Sequence, residues 1–253
     1  MSSSARLAVA ACIASAICGS ASAQSLGDLL VGWTIPNPFP TGAGNVPTGT
    51  FYSVGAGDMG VLTAGTSLSS THQLPSSGTT PTSYTSPAGN GSAYSFSSNV
   101  WKAGDYYEAS FSTTGFTGIY FQWDQTRSST GPATSELVIS LDGGSSWTTL
   151  IASYAILQNS APPAGPGSWN STTYNPAFTS VIQLDSLVAG AANASSVIVR
   201  MRALVDGVNS TGAFAPGGTN RIDNVMVYGT AIPAPGAVAL LGLAGLAARR
   251  RRR

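Results

Sequence analysis

The stretch Gly118-Ile119-Tyr120-Phe121-Gln122-Trp123-Asp124-Gln125 decides the reading of the fold. Ile119, Phe121 and Trp123 alternate with Tyr120, Gln122 and Asp124. A period of two belongs to a strand with one face against a core and the other toward water, because successive side chains leave a strand on opposite sides. The same period recurs at residues 106–113, where Tyr107, Ala109 and Phe111 oppose Glu108, Ser110 and Ser112. It recurs again at 136–141 (Leu137, Ile139, Leu141) and at 196–205 (Val197, Val199, Met201, Ala203, Val205). Asp142-Gly143-Gly144-Ser145 after a strand, followed by Trp147 to Ile151, predicts a hairpin, since glycine enters the positive-φ positions of a tight turn without steric cost. Further strands are expected at 30–35, 51–54, 93–97, 181–184 and 222–228. Long loops rich in Ser, Gly and Pro separate them at 79–92, 159–176 and 206–220. No stretch of this region has helical periodicity and none repeats. The expectation is an all-β chain: a single antiparallel two-sheet β-sandwich, jelly-roll-like, at residues 24–231.

Composition agrees with a domain that keeps its surface polar without charge. Of 253 residues 43% are hydrophobic and only 8% charged, while 36 Ser, 25 Thr and 30 Gly supply hydroxyls and bare backbone. The formal charge of +1 hides an asymmetry: between residues 24 and 231 five cations stand against ten acids, a formal −5. That excludes nucleic acid as a partner, because contact with phosphates needs clustered Lys and Arg. One His and two Cys, both within the first 18 residues, leave no set of soft or imidazole ligands for a transition metal.

The two ends read as addresses. Arg6, the apolar run from Leu7 to Cys18 and the triplet Ala21-Ser22-Ala23 form a secretory signal peptide, cleaved between Ala23 and Gln24. Both cysteines leave with it. At the other end Pro233-Ala234-Pro235-Gly236 breaks the chain, an apolar run starts at Ala237 and ends at Ala248, and Arg249, Arg250, Arg251, Arg252 and Arg253 form a basic stop. Such an order predicts a short transmembrane helix with its basic end in the cytoplasm. From Pro233 to Ala248 the run would span roughly 24 Å, short of a ~30 Å hydrocarbon core, which suits a temporary anchor.

This tail, residues 232–253, resembles the PEP-CTERM sorting signal of bacterial surface and exopolysaccharide-associated proteins, with Ala234 where that signal usually has Glu. The resemblance implies an exosortase-type membrane protease as partner and transient inner-membrane anchoring. The final location would be the cell envelope, its outer surface or the extracellular matrix. Tails of this kind also carry the name of an ice-binding protein C-terminal domain. Blocks such as Gly89-Asn90-Gly91-Ser92, Asp105-Tyr106-Tyr107-Glu108 and Arg221-Ile222-Asp223-Asn224-Val225 resemble, in their order, the jelly-roll ectodomains that accompany such tails in planctomycete-like surface proteins.

The chemistry-bearing residues are few. Glycoside hydrolysis needs two carboxylates in one cleft, and Glu108 and Asp124, both expected on solvent faces of neighbouring strands, are the candidate pair. His72 is the sole imidazole after residue 23, with no nucleophile elbow to accompany it. No cofactor is expected, although the oxygen-rich loops around Asp58, Asp105, Asp142 and Asp223 admit a structural Ca²⁺; Asp142 also suits its turn, and Asp223 a pairing with Arg221 or Arg202. Tyr84, Trp169 and Tyr174, placed in loops, are candidate contacts for sugar rings. Trp101, Trp123 and Trp147 are expected in the core. The resulting expectation is a non-catalytic exported surface or matrix protein with exopolysaccharide as a candidate ligand. The alternatives are a carbohydrate-active enzyme using paired carboxylates and an ice-binding protein, for which Thr71, Thr79, Thr80, Thr82 and Thr85 form no regular rank.

Overall fold

The computed structural model describes residues 26–33, 42–43, 67–71, 83–160 and 167–233. Twelve strands run in chain order: β1 (Asp28–Trp33), β2 (Gly42–Ala43), β3 (Ser67–Thr71), β4 (Ser83–Thr85), β5 (Phe96–Ser98), β6 (Tyr106–Phe111), β7 (Phe116–Arg127), β8 (Thr134–Ser140), β9 (Thr148–Ala155), β10 (Thr179–Gln183), β11 (Val197–Ala203) and β12 (Asn220–Ala231). Helical structure among the described residues is confined to a 3₁₀ turn at Pro176–Phe178 and one α-turn, α1, at Leu184–Leu187.

The strands form two antiparallel sheets. One has seven strands in the order β10-β7-β12-β5-β4-β2, with β1 also on β12; the other has five, in the order β3-β6-β11-β8-β9. β1 pairs with residues 225–229 of β12 and β5 with 220–222, so the two lie end to end along the edge that β7 leaves free. From β6 to β12 every connection except the β8–β9 hairpin carries the chain from one sheet to the other. This is the jelly-roll-like sandwich that the alternation predicts. In the hairpin, Gly143 and Gly144 take φ of 71° and 93°, the conformation a side chain would resist.

The apolar faces meet between the sheets. Ile119, Phe121 and Trp123 of β7 and Ile222, Val225 and Val227 of β12 are fully buried against Tyr107 and Ala109 of β6, Leu137 of β8 and Val197, Val199 and Met201 of β11. Phe111 stacks on Phe121 across the gap at 6.1 Å between ring centroids, and Trp123 meets Tyr154 of β9 edge-on at 5.7 Å. Burying an aromatic side chain of this kind contributes about 1.5–3 kcal/mol. The Tyr107 hydroxyl donates to the Asn220 carbonyl at 2.7 Å, a hydrogen bond between sheets inside the core. Trp101 and Trp123 are core residues as expected; Trp147 is not, and lies half-buried on the outer side of the five-stranded sheet.

Three strands escape the alternation rule. β3 and β4, in Ser/Thr-rich sequence, have no run of apolar residues to bury, and β2 is two residues long. Tyr84, expected in a loop, is in β4. The expected strand at 51–54, together with Asp58, His72 and Thr79, Thr80 and Thr82, lies outside the described residues, as do residues 1–23 and 234–253. Among the described residues no helix is long and apolar enough to cross a membrane.

Candidate functional site

The alternation that fills the core also populates the outer face of the five-stranded sheet. With Tyr107, Ala109 and Phe111 inward, β6 turns Tyr106, Glu108 and Ser110 outward; β11 likewise turns out Ile198, Arg200 and Arg202, and β8 turns out Glu136. Register then sets the pairs. Arg202 stands between Tyr106 and Glu136, and Arg200 between Glu108 and Val138. Arg200 Nε donates to Glu108 Oε2 at 2.6 Å and Arg202 Nε to Glu136 Oε1 at 2.7 Å. Such half-exposed pairs contribute about 0–1 kcal/mol of stability each; their larger effect here is geometric.

Arg200 is held by more than its carboxylate. Its guanidinium carbon lies 3.9 Å from the ring centroid of Tyr106 and 3.9 Å from that of Trp147, so the planar group is sandwiched between two aromatic rings. Trp147 reaches this position from the end of the glycine turn, where its indole N–H donates to the Gly144 carbonyl at 3.1 Å. Beside the sandwich runs a groove of about 470 Å³ lined by Gly104, Tyr106, Glu136, Arg200, Arg202 and Leu204. The terminal nitrogens of Arg200, Oε1 of Glu108, Oε2 of Glu136 and the Tyr106 hydroxyl have no partner among the described residues. The face thus presents donors and acceptors in fixed alternation, with two cations balanced by two anions.

A second polar centre lies on the outer face of the seven-stranded sheet and is covered. Asp124 of β7 and Asp223 of β12 are direct cross-strand partners, 0% and 1% exposed. Beyond Asp223 a bulge places two β12 residues, Asn224 and Val225, opposite one β7 residue, and Asn224 takes a positive φ of 45°. The bulge aims the Asn224 amide at Asp124 Oδ2, 2.8 Å away. Asn90 closes the centre from above: its side-chain amide donates to Asp124 Oδ2 at 2.9 Å and to the Asn175 carbonyl at 3.0 Å, and its backbone N–H donates to Asp223 Oδ2 at 2.9 Å. Thr179 donates to Asp124 Oδ1, and Ser92 lies against Asp223 Oδ2. Burial pushes the Asp223 carboxyl up to about 7, with repulsion from Asp124 adding to the shift, and burial raises Asp124 as well.

This geometry corrects several expectations. Glu108 and Asp124 are on different sheets, one on an open face and the other buried, so they form no catalytic pair. Asp223 makes no ion pair with Arg221 or Arg202; Arg202 binds Glu136 instead. Trp169 is 6% exposed, its indole donating to the Ala88 carbonyl at 2.6 Å and its ring edge-on to Phe178, so it folds under its loop rather than facing a ligand. Tyr174 is half exposed, with its hydroxyl bonded to Thr179 at 2.6 Å. The side chain of Tyr84 lies outside the described residues. Asp142 does serve its turn, accepting from the Ser146 hydroxyl, the Ser146 N–H and Ser140 Oγ, hydrogen bonds that hold its carboxylate well below the usual range. Asp105 caps the Lys102 N–H at 2.7 Å.

The open face was legible in part. Alternation places Tyr106, Glu108, Arg200 and Arg202 on strand exteriors, but their union depends on the order β6-β11-β8, which local sequence does not encode.

No family model matches the chain, and no curated protein does. Among solved structures it is similar to a family 11 carbohydrate-binding module from Clostridium thermocellum, in complex with a β-1,3-1,4-mixed-linked tetrasaccharide. There the identity is 12%, the TM-score 0.35, and the match covers 69% of this chain and 93% of that one. A carbohydrate-binding module of Cellvibrio mixtus lichenase 5A, in complex with cellotriose, matches at 12% identity and TM-score 0.32 over 80% and 98%. The K1 cleaved adhesin domain of Lys-gingipain from Porphyromonas gingivalis W83 matches at 12% identity and TM-score 0.35 over 79% and 98%. Likenesses this loose transfer no ligand and no residue roles.

Proposed function

We propose that residues 24–231 form a non-catalytic glycan-binding domain of an exported surface or matrix protein, and that the outer face of the five-stranded sheet is its contact surface. The observation that carries the reading is Arg200 fixed between Tyr106 and Trp147 with its Nε on Glu108. A sugar hydroxyl both donates and accepts, so neighbouring hydroxyls are matched by guanidinium nitrogens set beside carboxylate oxygens. Stacking orders the guanidinium before the ligand arrives, which lowers the entropy that binding must overcome. Two Arg against two Glu leave the face neutral overall, and the domain's net negative charge gives acidic polymers no long-range attraction. The ligand class is therefore neutral or weakly charged polysaccharide. Export and sorting rest on the two terminal segments: the signal peptide before Gln24, and the Pro233-to-Arg253 tail as an exosortase-type substrate.

A glycan array followed by affinity electrophoresis on whatever binds tests this. Arg200→Ala and Tyr106→Ala should each weaken binding at least tenfold, with no release of sugar. Binding unchanged in both variants, or turnover of the glycan, overturns the reading. A silent array overturns it in favour of a coat protein without a ligand. Intact mass of envelope-extracted protein tests the sorting: loss of the segment after about Ile232 supports it, and retention of Arg249 to Arg253 overturns it in favour of a plain tail anchor.

A further inference from the structure

We propose that the groove between the loops at residues 128–133 and 204–210 binds a carboxylate carried on a small apolar body. Arg127 would hold the carboxylate, and Val205 and Val208 the body. The site lies beyond the end of β7 and the start of β8, on neither sheet face, and it does not rest on the glycan reading.

Size and lining come first. The groove measures about 780 Å³, inside the roughly 300–1,000 Å³ of small-molecule sites, and its walls are mainly apolar, with Ala133, Val205 and Val208 among them. Val205 and Val208 are each 40% exposed on this one concave surface. Apolar side chains grouped in that way mark a place where something apolar is to be covered. Among the described residues no aromatic ring lines the groove, so it has no stacking platform of the kind that Tyr106 and Trp147 make on the five-stranded sheet.

Charge selects the other half of the ligand. Among the described residues the ion pairs are Lys102–Asp206, Arg200–Glu108 and Arg202–Glu136, and Arg127 has none. Its guanidinium is fixed by carbonyls instead: Nε donates to that of Ile156 at 3.0 Å, and Nη1 to those of Ser128 and Ser129 at 3.1 Å each. Nη2 has no partner among the described residues. Burial pushes the pKa of this group down, as expected of a cation that has lost water without gaining an anion. Asp206 lines the same groove, but its oxygens are taken, Oδ1 by the Ala103 N–H at 2.9 Å and Oδ2 by Lys102 Nζ at 3.1 Å. Arg127 and Lys102 against Asp206 therefore leave one positive charge unmatched. A carboxylate matches it, because its hydrogen bond to a guanidinium is charge-assisted.

The walls are in place before any ligand arrives. The Ser128 N–H donates to the Thr219 carbonyl at 3.0 Å, the Thr219 N–H returns to Ser128 Oγ at 2.9 Å, and the Gly131 N–H closes the turn on the Ser128 carbonyl at 3.1 Å. Across the groove Gly207 donates to the Trp101 carbonyl at 3.1 Å and accepts from the Ala215 N–H at 2.9 Å. The two loops touch backbone to backbone: a Cβ on Gly207 would lie 3.0 Å from the Thr130 carbonyl oxygen. A groove held so firmly leaves little ordering for binding to impose.

The test is titration calorimetry on the purified full chain at low salt, with three probes: N-acetyl-leucine, 4-methylpentanoate, and N-acetyl-leucinamide, which keeps the apolar body without the charge. N-acetyl-leucine should bind at least about tenfold more tightly than its amide, and its affinity should fall as NaCl is raised. Binding of both acids supports the proposal and assigns the groove to short-chain acids in general; binding of N-acetyl-leucine alone supports it and assigns the groove to peptide C-termini. Arg127→Gln should remove the preference for acid over amide. Should that variant fail to fold, since Arg127 also ties three carbonyls, Val208→Asp decides: the position is exposed, so Tm should hold, while the added carboxylate should weaken binding of the acids at least about tenfold. Unchanged affinity in Val208→Asp, equal affinity for acid and amide, or no heat from either acid up to about 10 mM would overturn the proposal, leaving Arg127 as a tie between loop carbonyls.

Discussion

Asp124 and Asp223 face one another as Cα partners on β7 and β12, both sealed from solvent and neither, among the described residues, within ion-pair distance of a cation. Because burial lifts the folded-state pKa of Asp223 to about 7 from an ordinary 3.8, the folded protein binds a proton here that the unfolded chain has released. Stability from this group is therefore full below pH 4 and is lost as pH rises from 4 to 7. Three pKa units correspond to about 4 kcal/mol as an upper figure. In chelator, urea titrations of wild type and Asp223→Asn should show their difference in stability growing in favour of the variant across that window. A difference independent of pH would refute the shift.

The crowding around Gly89 yields a sharper expectation. Gly89→Ala puts a methyl within contact of Ser92 Oγ, Asp223 Oδ2 and the Tyr94 carbonyl. Two of the three belong to the buried centre and cannot swing to solvent, so the substitution should cost about 2–3 kcal/mol in urea unfolding. Gly143→Ala, with open space at its Cβ, should cost less and only through its φ of 71°.

Tyr107→Phe isolates one hydrogen bond between the sheets. It removes the hydroxyl that donates to the Asn220 carbonyl and meets Ser98 Oγ at 2.9 Å, while keeping the ring against Phe96 and Trp101. A loss of about 1–2 kcal/mol is expected from the buried groups left without that donor, read by chemical denaturation with an unchanged m-value.

On the open face the contrast between Arg and Lys is diagnostic. Arg200→Lys retains the charge beside Glu108 but not the planar group between Tyr106 and Trp147. The expected outcome is a glycan affinity reduced about tenfold, with stability changed by less than about 1 kcal/mol. Equal affinity for both residues would reduce the role of Arg200 to its charge.

Trp169 should behave as a structural residue. Its indole is bonded to the Ala88 carbonyl and packed on Phe178, so Trp169→Ala should cost about 3 kcal/mol or more in stability. Glycan binding measured well below the lowered Tm should be retained.

Much of the sandwich was written locally. Strands β6, β7, β8 and β11 follow from alternating apolar and polar residues, because a strand with one buried face must alternate, and the β8–β9 hairpin follows from the two glycines that adopt positive φ in its turn. The same alternation is silent about β3 and β4, Ser- and Thr-rich strands that pair through the backbone with β6 and β5. It also misjudged Asp124: polar alternation places it on the outer side of β7, correctly, but only the fold brings Asn90 and the segment around Asn175 and Thr179 over that side and turns an outer position into a buried one. Trp147 failed in the opposite sense, since hydrophobicity argued for the core while a turn at the sheet's edge delivered the ring to the guanidinium of a residue 53 positions away. Sequence by itself determined the class of fold and a composition rich in hydroxyls and poor in charge. Which carboxylate meets which partner was decided by strand order and register, long-range pairings that no local run of residues encodes.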